Sequence, residues 1–252
     1  MDRLDAGGRE KGALFLPLVD QDRIEPAECV RRAALFEECG ADGILVGSSF
    51  TLRDRLDVVL AAIREGTNLP VILFPGSAHQ VSGRADAILF LTLLSGRNPQ
   101  FLAEEQVRAA PRVREAGLES IPTAYLLIGD GARRTVHFVS RTEAIPGDRP
   151  ELAMAHALAA EYMGMTTVYL EAGSGASDPV PPAVIRAVRG YVSSRLIVGG
   201  GIRSPEQAAA ARNAGADWVV IGHALERDSS AESLRAFARA IHGSPVPSRP
   251  AG

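Results

Sequence analysis

Glu171 stands in the run VYLEAGSGA (Val168–Ala176), a carboxylate at the end of an apolar stretch with small residues directly behind it. Two further glycine-bearing runs follow, VGGGIR (Val198–Arg203) and VIGH (Val220–His223). Each has the form of a buried strand opening into a tight turn. Glycine lets backbone N–H groups approach an anion and adopts positive φ without steric cost. Three such turns near the C-terminus fit the phosphate cradle at one face of a (β/α)8 barrel. Gly200, Gly201, Gly222 and His223 complete that cradle. Their backbone donors are joined by the positive ends of the helices that follow. Tyr169 is either core or a phosphate donor, and His223 either donates to phosphate or caps a helix. Glu171 is the expected base, taking a proton from a hydroxyl of the same molecule, and a nearby phosphate raises its pKa toward that role.

The early strands offer oxygen ligands. LVDQDR (Leu18–Arg23) places Asp20 and Asp22 at one strand end, and VGSSF (Val46–Phe50) places Ser48 and Ser49 at the next. A carboxylate and a hydroxyl, completed by phosphate oxygens and water, suit Mg²⁺. An Asp after a strand also serves as turn former or helix cap, so this signal alone leaves both roles open. His79, His137, His156 and His242 share no ligand spacing, which argues against zinc.

Composition limits the alternatives. The chain has 252 residues, is 46% hydrophobic, and carries a formal charge of −3. That length suits one barrel domain, and the charge argues against nucleic-acid binding. The N-terminus lacks an apolar leader and no apolar run is long enough to span a bilayer, so a soluble cytoplasmic protein is expected. Cys29 and Cys39 fall on different faces of one helical stretch and are expected to be reduced core thiols. Lys11 is the only lysine and precedes the first apolar run, which places it at the far end of the barrel. Schiff-base chemistry is thereby nearly excluded, and any cation at the site must be arginine.

The elements that must position these residues alternate along the chain. Strands are predicted at Ala13–Val19, Gly43–Val46, Val71–Phe74, Ala87–Leu91, Pro122–Ile128, Thr167–Leu170, Leu196–Val198 and Trp218–Ile221. Most lack polar alternation, as parallel strands covered on both faces should. Apolar stripes at helical spacing fall at Leu56, Val59, Leu60 and Ile63, at Val184, Ala187, Val188 and Tyr191, and at Leu234, Phe237, Ala238 and Ile241. Ser204, Pro205 and Gln207 read as cap, first helical residue and capping-box partner, with Gly215 as the stop. CGADGILVG (Cys39–Gly47), AGADWVVIG (Ala214–Gly222) and GRADAILFL (Gly83–Leu91) echo one another, as repeated βα modules do.

One module is defective. FPGSAHQVSGRAD (Phe74–Asp86) is too short and too broken by glycine and proline for a crossover helix. The expected fold is therefore a TIM (β/α)8 barrel with the third outer helix replaced by a loop, leaving either a packed loop or a groove suited to a long apolar ligand. A small hairpin is expected around Thr135–Ser140. A single domain spans 1–252, with flexible ends at 1–10 and 243–252.

VYLEAGSGA, LVDQDR, VGSSF, VILFPGS, SGRNPQF, VGGGIRSPEQA and GADWVVIG together resemble geranylgeranylglyceryl phosphate synthase and its bacterial relatives, from about Ala13 to Leu225. SGRNPQFLAEEQVRAAP (Ser95–Pro111) and AMAHALAAEYMGM (Ala153–Met165) are similar to the second of that family's two groups, often hexameric. The resemblance implies prenyl transfer from geranylgeranyl diphosphate to the 3-hydroxyl of sn-glycerol 1-phosphate, with Mg²⁺ near Asp20 and Ser49 and Glu171 as base. It implies glycerol phosphate held by Tyr169–Gly175, Gly200, Gly201, Gly222 and His223. It also implies a homo-oligomer, dimer or hexamer, transient membrane contact through the apolar substrate or product, and a prenyl groove where the third helix is missing. A basic residue is usual at Arg23, which makes it the first candidate to neutralise the leaving diphosphate, with Arg97 second. Three positions depart from the pattern: His223 where asparagine or aspartate is usual, Ala124 where glycine is usual, expected to narrow a groove wall, and Ser48 where glycine is common. Two other readings share the phosphate cradle: a phosphosugar isomerase or cyclase, with Asp20 as second acid/base, and a non-catalytic flavin or phosphometabolite binding module.

Overall fold

The structure is a computed structural model that describes residues 11–129 and 134–243. The expected flexible ends, 1–10 and 243–252, lie outside that range apart from Gly243. Strands β1 (Leu14–Val19), β2 (Ile44–Val46), β3 (Val71–Leu73), β4 (Ala87–Thr92), β5 (Glu119–Gly129), β7 (Thr167–Glu171), β8 (Arg195–Gly199) and β9 (Trp218–Ile221) pair in parallel in that order, and β9 closes on β1. The two-residue β6 (Ile145–Pro146) pairs only with the end of β5, outside the barrel. Around the strands run α1 (Pro26–Glu38), α2 (Leu56–Gly66), α3 (Gln100–Glu115, beginning as a π-turn), α4 (Thr135–Ser140), α5 (Pro150–Tyr162), α6 (Pro182–Arg189), α7 (Pro205–Asn213), α8 (His223–Arg227) and α9 (Ala231–Ile241). Among the described residues no helix is long and apolar enough to cross a membrane.

Strand alternation divides the core in two. Leu14, Leu16, Leu45, Ile72, Leu89, Tyr125, Tyr169, Ile197, Trp218 and Val220 fill the barrel interior. Phe15, Val46, Ile88, Ala124, Leu126, Val168, Leu170, Val198 and Val219 face the helices. The period of two fixes what reaches the site: counting on from Tyr169 brings Glu171 inward at the mouth. Leu170, one residue out of phase, is buried against the helices. Ala124 lies in that same outer layer and does not line the groove described below, whereas its neighbour Tyr125 does.

The repeated Ala-Asp segments do the same job three times. Asp42, Asp86 and Asp217 each accept a hydrogen bond from the N–H of a residue on an adjacent strand, Phe15, Val71 and Leu196, at 2.8, 2.7 and 2.7 Å. Each returns its own N–H to that residue's carbonyl at 3.0, 2.9 and 2.8 Å. These clips satisfy strand-start donors and lock register at the end of the barrel away from the site. Lys11 Nζ joins Asp42 there at 2.5 Å, far from the mouth.

No helix lies between β3 and β4. The loop is instead held by long side chains from α3: Ala78 N–H donates to Glu105 (2.6 Å) and Arg112 donates to the Ala78 carbonyl (3.0 Å). The predicted hairpin at Thr135–Ser140 is the helix α4. Its β-branched residues read as strand, but Phe138 N–H bonds back to the Arg134 carbonyl, and Val136 and Val139, a helical step apart, both face an apolar groove. α6 ends at Arg189, so Tyr191 stands exposed and Ile185 completes the buried stripe instead. At α7, Ser204 caps Gln207 N–H as expected, whereas the Gln207 side chain bonds Arg203 N–H (2.7 Å) and not the cap residue. Cys29 and Cys39 are both buried and free.

Candidate active site

At the C-terminal ends of the strands, one cavity is lined by Asp20, Ser48, Ser49, Tyr169, Glu171, Ser174, Gly175, Gly200, Gly201, Gly222 and His223. The early carboxylate, the late carboxylate and the three glycine turns thus converge. A second cavity shares Ser49, Pro75, Gly76, Leu91, Tyr125 and Val136 with the first, so the two adjoin along a common wall. It runs under the helix-less loop, between β4 and α3, over Ala78, Val81, Ile88, Phe90, Phe101 and Ala109. The missing helix leaves an apolar groove adjoining a polar chamber.

Glu171 is buried, and its Oε1 accepts the Gly173 N–H at 2.7 Å. Burial pushes its carboxyl up to about 7; the Gly173 N–H and the nearby Tyr169 hydroxyl oppose that rise only in part. The sequence reading assigned the rise to phosphate, yet desolvation supplies it before any phosphate binds. The Tyr169 hydroxyl sits near Glu171 without hydrogen-bond geometry and has no partner, and burial beside that carboxylate raises it well above the ordinary tyrosine range. The Tyr169 ring stacks on Phe74 at 5.0 Å and meets Tyr125 edge-on at 5.4 Å, forming an aromatic floor. Gly200 has φ of 76°, and a Cβ there would collide with Glu171 Oε1. Glycine at this position therefore gives the carboxylate its space.

Asp20 accepts from Asp22 N–H (3.0 Å) and from Ser48 Oγ (3.3 Å), and partial burial is the largest influence raising its pKa. Gln80, from the helix-less loop, holds Ser48 on both sides: its Oε1 accepts Ser48 N–H (3.2 Å) and its Nε2 donates to the Ser48 carbonyl (2.8 Å). One carboxylate with two serines on the same wall is an all-oxygen set that leaves most positions to phosphate and water, and this fits Mg²⁺. Asp22 does not line the cavity; it accepts the N–H groups of Leu52 and Arg53 and pins the loop after β2.

Several expected contacts fall elsewhere. Arg23 does not line the main cavity. Its Nη1 pairs with Glu226 at 2.9 Å and its Nε lies 3.4 Å from Asp20. Arg97 bonds the carbonyl of Gly96 at 2.8 Å, away from the cavity. Leu170 faces the helix layer; Ala172 borders a neighbouring cleft; Gly173 acts through Glu171. Among the described arginines, Arg203 is the one on the main cavity wall, its Nη2 tied to the Ala176 carbonyl at 2.8 Å. It stood in VGGGIR but was read only as part of a turn. Glu226 also lines the chamber; its signal was the three-residue helical step from His223. Gln80 gave no signal, because only folding brings it to Ser48.

A profile of the PcrB family matches residues 8–241. The chain is 48% identical over 227 residues to geranylgeranylglyceryl phosphate synthase of Thermococcus kodakarensis, covering 90% of this chain and 89% of that one. It is 42% identical over 228 residues to the protein of that name from Chitinophaga pinensis, covering 90% of each. The crystal structure of (S)-3-O-geranylgeranylglyceryl phosphate synthase from Thermoplasma acidophilum, in complex with its substrate sn-glycerol-1-phosphate, superimposes with a TM-score of 0.89 at 38% identity, over 95% of this chain and 96% of that one. With the profile spanning the barrel and these relatives matching nearly end to end, the chain belongs to the PcrB family, among the geranylgeranylglyceryl phosphate synthases.

Proposed function

We propose that this protein transfers a polyprenyl group, geranylgeranyl in the first instance, from its diphosphate to the 3-hydroxyl of sn-glycerol 1-phosphate. The observation that carries the reading is the common wall of two unlike spaces: a polar chamber holding Glu171, Asp20 and the glycine turns, and an apolar groove at the missing helix. The glycerol phosphate complex of the Thermoplasma relative supports the acceptor. A phosphosugar isomerase or flavin module gives no use to the groove.

Glycerol phosphate rests on the turns at Ser174–Gly175, Gly200–Gly201 and Gly222–His223, with its free hydroxyl toward Glu171. The oxygen of that hydroxyl attacks the first prenyl carbon. A carbon–oxygen ether bond forms, the bond from that carbon to the diphosphate oxygen breaks, and diphosphate leaves with the electron pair. The hydroxyl proton passes to Glu171. A buried carboxylate whose pKa lies near 7 is a stronger base than an ordinary glutamate and still deprotonates near neutrality. Mg²⁺, held by Asp20 with Ser48 or Ser49, supplies neutralisation of charge on the diphosphate. Arg203 is the cation already on the wall; Arg23 joins only after leaving Asp20 and Glu226. Groove burial contributes about 0.8 kcal/mol per CH₂, enough for its depth to set prenyl length.

The test is incubation of the purified protein with labelled geranylgeranyl diphosphate, sn-glycerol 1-phosphate and Mg²⁺. An ether-linked product is expected, and no product with any of a series of prenyl diphosphates overturns the reading. Two wider parts belong to the same reading. A homo-oligomer would cover exposed Tyr162, Met163 and Tyr191, and sedimentation measures it. Transient membrane contact would involve exposed Phe50 and Leu52, beside Ser49 at the mouth, and vesicle flotation with product tests it.

A further inference from the structure

His223 lines the chamber, and its Nδ1 lies 3.2 Å from Glu226 Oε2. The same carboxylate oxygen takes Arg23 Nη1 at 2.9 Å, and Arg23 Nε lies 3.4 Å from Asp20. A chain of alternating charge thus crosses from the β1 loop to α8, with the imidazole at its end beside the Gly222 turn. A neutral imidazole carries one N–H. If that proton sits on Nδ1, it satisfies Glu226 and leaves a lone pair on Nε2. If it sits on Nε2, a lone pair meets the Glu226 carboxylate. A ring placed between a carboxylate and a phosphate satisfies both only as the imidazolium, with two donors.

We propose that binding of the acceptor phosphate by this protein is proton-linked, His223 being charged in the complex and Glu226 acting as the positioning residue that fixes its ring. This rests on the reading of the chamber as a glycerol phosphate site. The other charged groups sharing the chamber or its edge are Asp20 and Arg23 from the β1 loop, Glu171 at the end of β7, and Arg203 from the β8–α7 loop. The sign follows from the charged form being the binding form. The part of the affinity that depends on His223 is present while the ring keeps its proton in the complex and is lost as rising pH removes that proton.

The experiment is calorimetric titration of the intact protein with sn-glycerol 1-phosphate alone, near pH 7.5, in buffers of different ionisation enthalpy. The wild type is expected to take up more protons on binding than His223→Asn does. Contributions from Glu171 and from the phosphate itself are common to both chains and cancel. The ratio of the two affinities falls with rising pH, by up to about tenfold per pH unit. In Glu226→Gln the loss of affinity shifts to lower pH, because a neutral amide no longer favours the cation; a merely structural role for Glu226 would leave the profile in place. Equal proton uptake by wild type and His223→Asn overturns the proposal alone. No binding of glycerol phosphate by the wild type overturns the functional reading beneath it.

Discussion

Glu171 and Asp20 differ in what surrounds them, and their variants separate accordingly. Glu171→Gln removes the base while keeping shape and the Gly173 contact. Turnover is expected to fall by about 10²–10⁴ with glycerol phosphate binding retained; unchanged turnover would remove Glu171 from the reaction. In the wild type, kcat/KM should rise with pH through about 7, where Glu171 loses its proton. Stability runs the other way. The folded carboxyl titrates about 7 against an unfolded value of 4.5, so the folded state holds the proton longer, and stability is lost as pH rises between those values. Glu171→Gln should therefore be more stable than wild type at pH 8, by on the order of 3 kcal/mol, and nearly equal at pH 4.5. Urea unfolding at the two pH values measures it. Asp20→Asn keeps the Ser48 contact but lowers the negative charge facing Mg²⁺. Activity should require several-fold more Mg²⁺ for half-saturation, and an unaltered titration would place the metal elsewhere.

The glycine turns look equivalent in sequence, but the elements around them make them unequal. Gly200 has positive φ and no room for a Cβ beside Glu171. Gly222 would bring a Cβ only into ordinary contact with Leu18, at 3.4 Å. Gly200→Ala should reduce kcat at least tenfold by displacing the carboxylate, whereas Gly222→Ala should fold normally and keep measurable turnover. Comparable losses in the two would refute this account of Gly200. On α3, Ala109 forms part of the groove wall. Ala109→Phe fills that space, so the preferred substrate should become a shorter prenyl diphosphate, read as the order of kcat/KM across the series. At this scale the sequence was partly legible. Glycine and proline in Phe74–Asp86 ruled out a helix by local conformation alone. The same local signals misread Thr135–Ser140, where β-branched residues suggested strand and packing of Val136 and Val139 on the groove selected a helix.

Across the whole molecule, function and register sit at opposite ends of the strands. The Asp42, Asp86 and Asp217 clips hold the barrel at the end far from the chamber. Asp217 also pairs with Arg189 at 2.9 Å. Asp217→Ala leaves the Leu196 N–H and a largely buried guanidinium without this carboxylate, which should cost about 1–3 kcal/mol in urea unfolding. Activity per folded molecule should stay near the wild-type level. A large fall in kcat with unchanged stability would show that the two ends are coupled.

The sequence by itself determined the architecture and the chemical types at the mouth. Apolar runs without alternation, stop residues and repeated Ala-Asp units are local in sequence, and so are Glu171, Asp20 and the glycine turns, each fixed by its place at a strand end. Only the tertiary structure decided which of these residues meet. It turned Leu170 away and Tyr169 inward by strand parity, took Arg23 out to Asp20 and Glu226, brought Arg203 and Glu226 to the chamber, and set Gln80 against Ser48. Long polar side chains choose partners by distance and charge across separate loops, and those distances exist only after the barrel has closed.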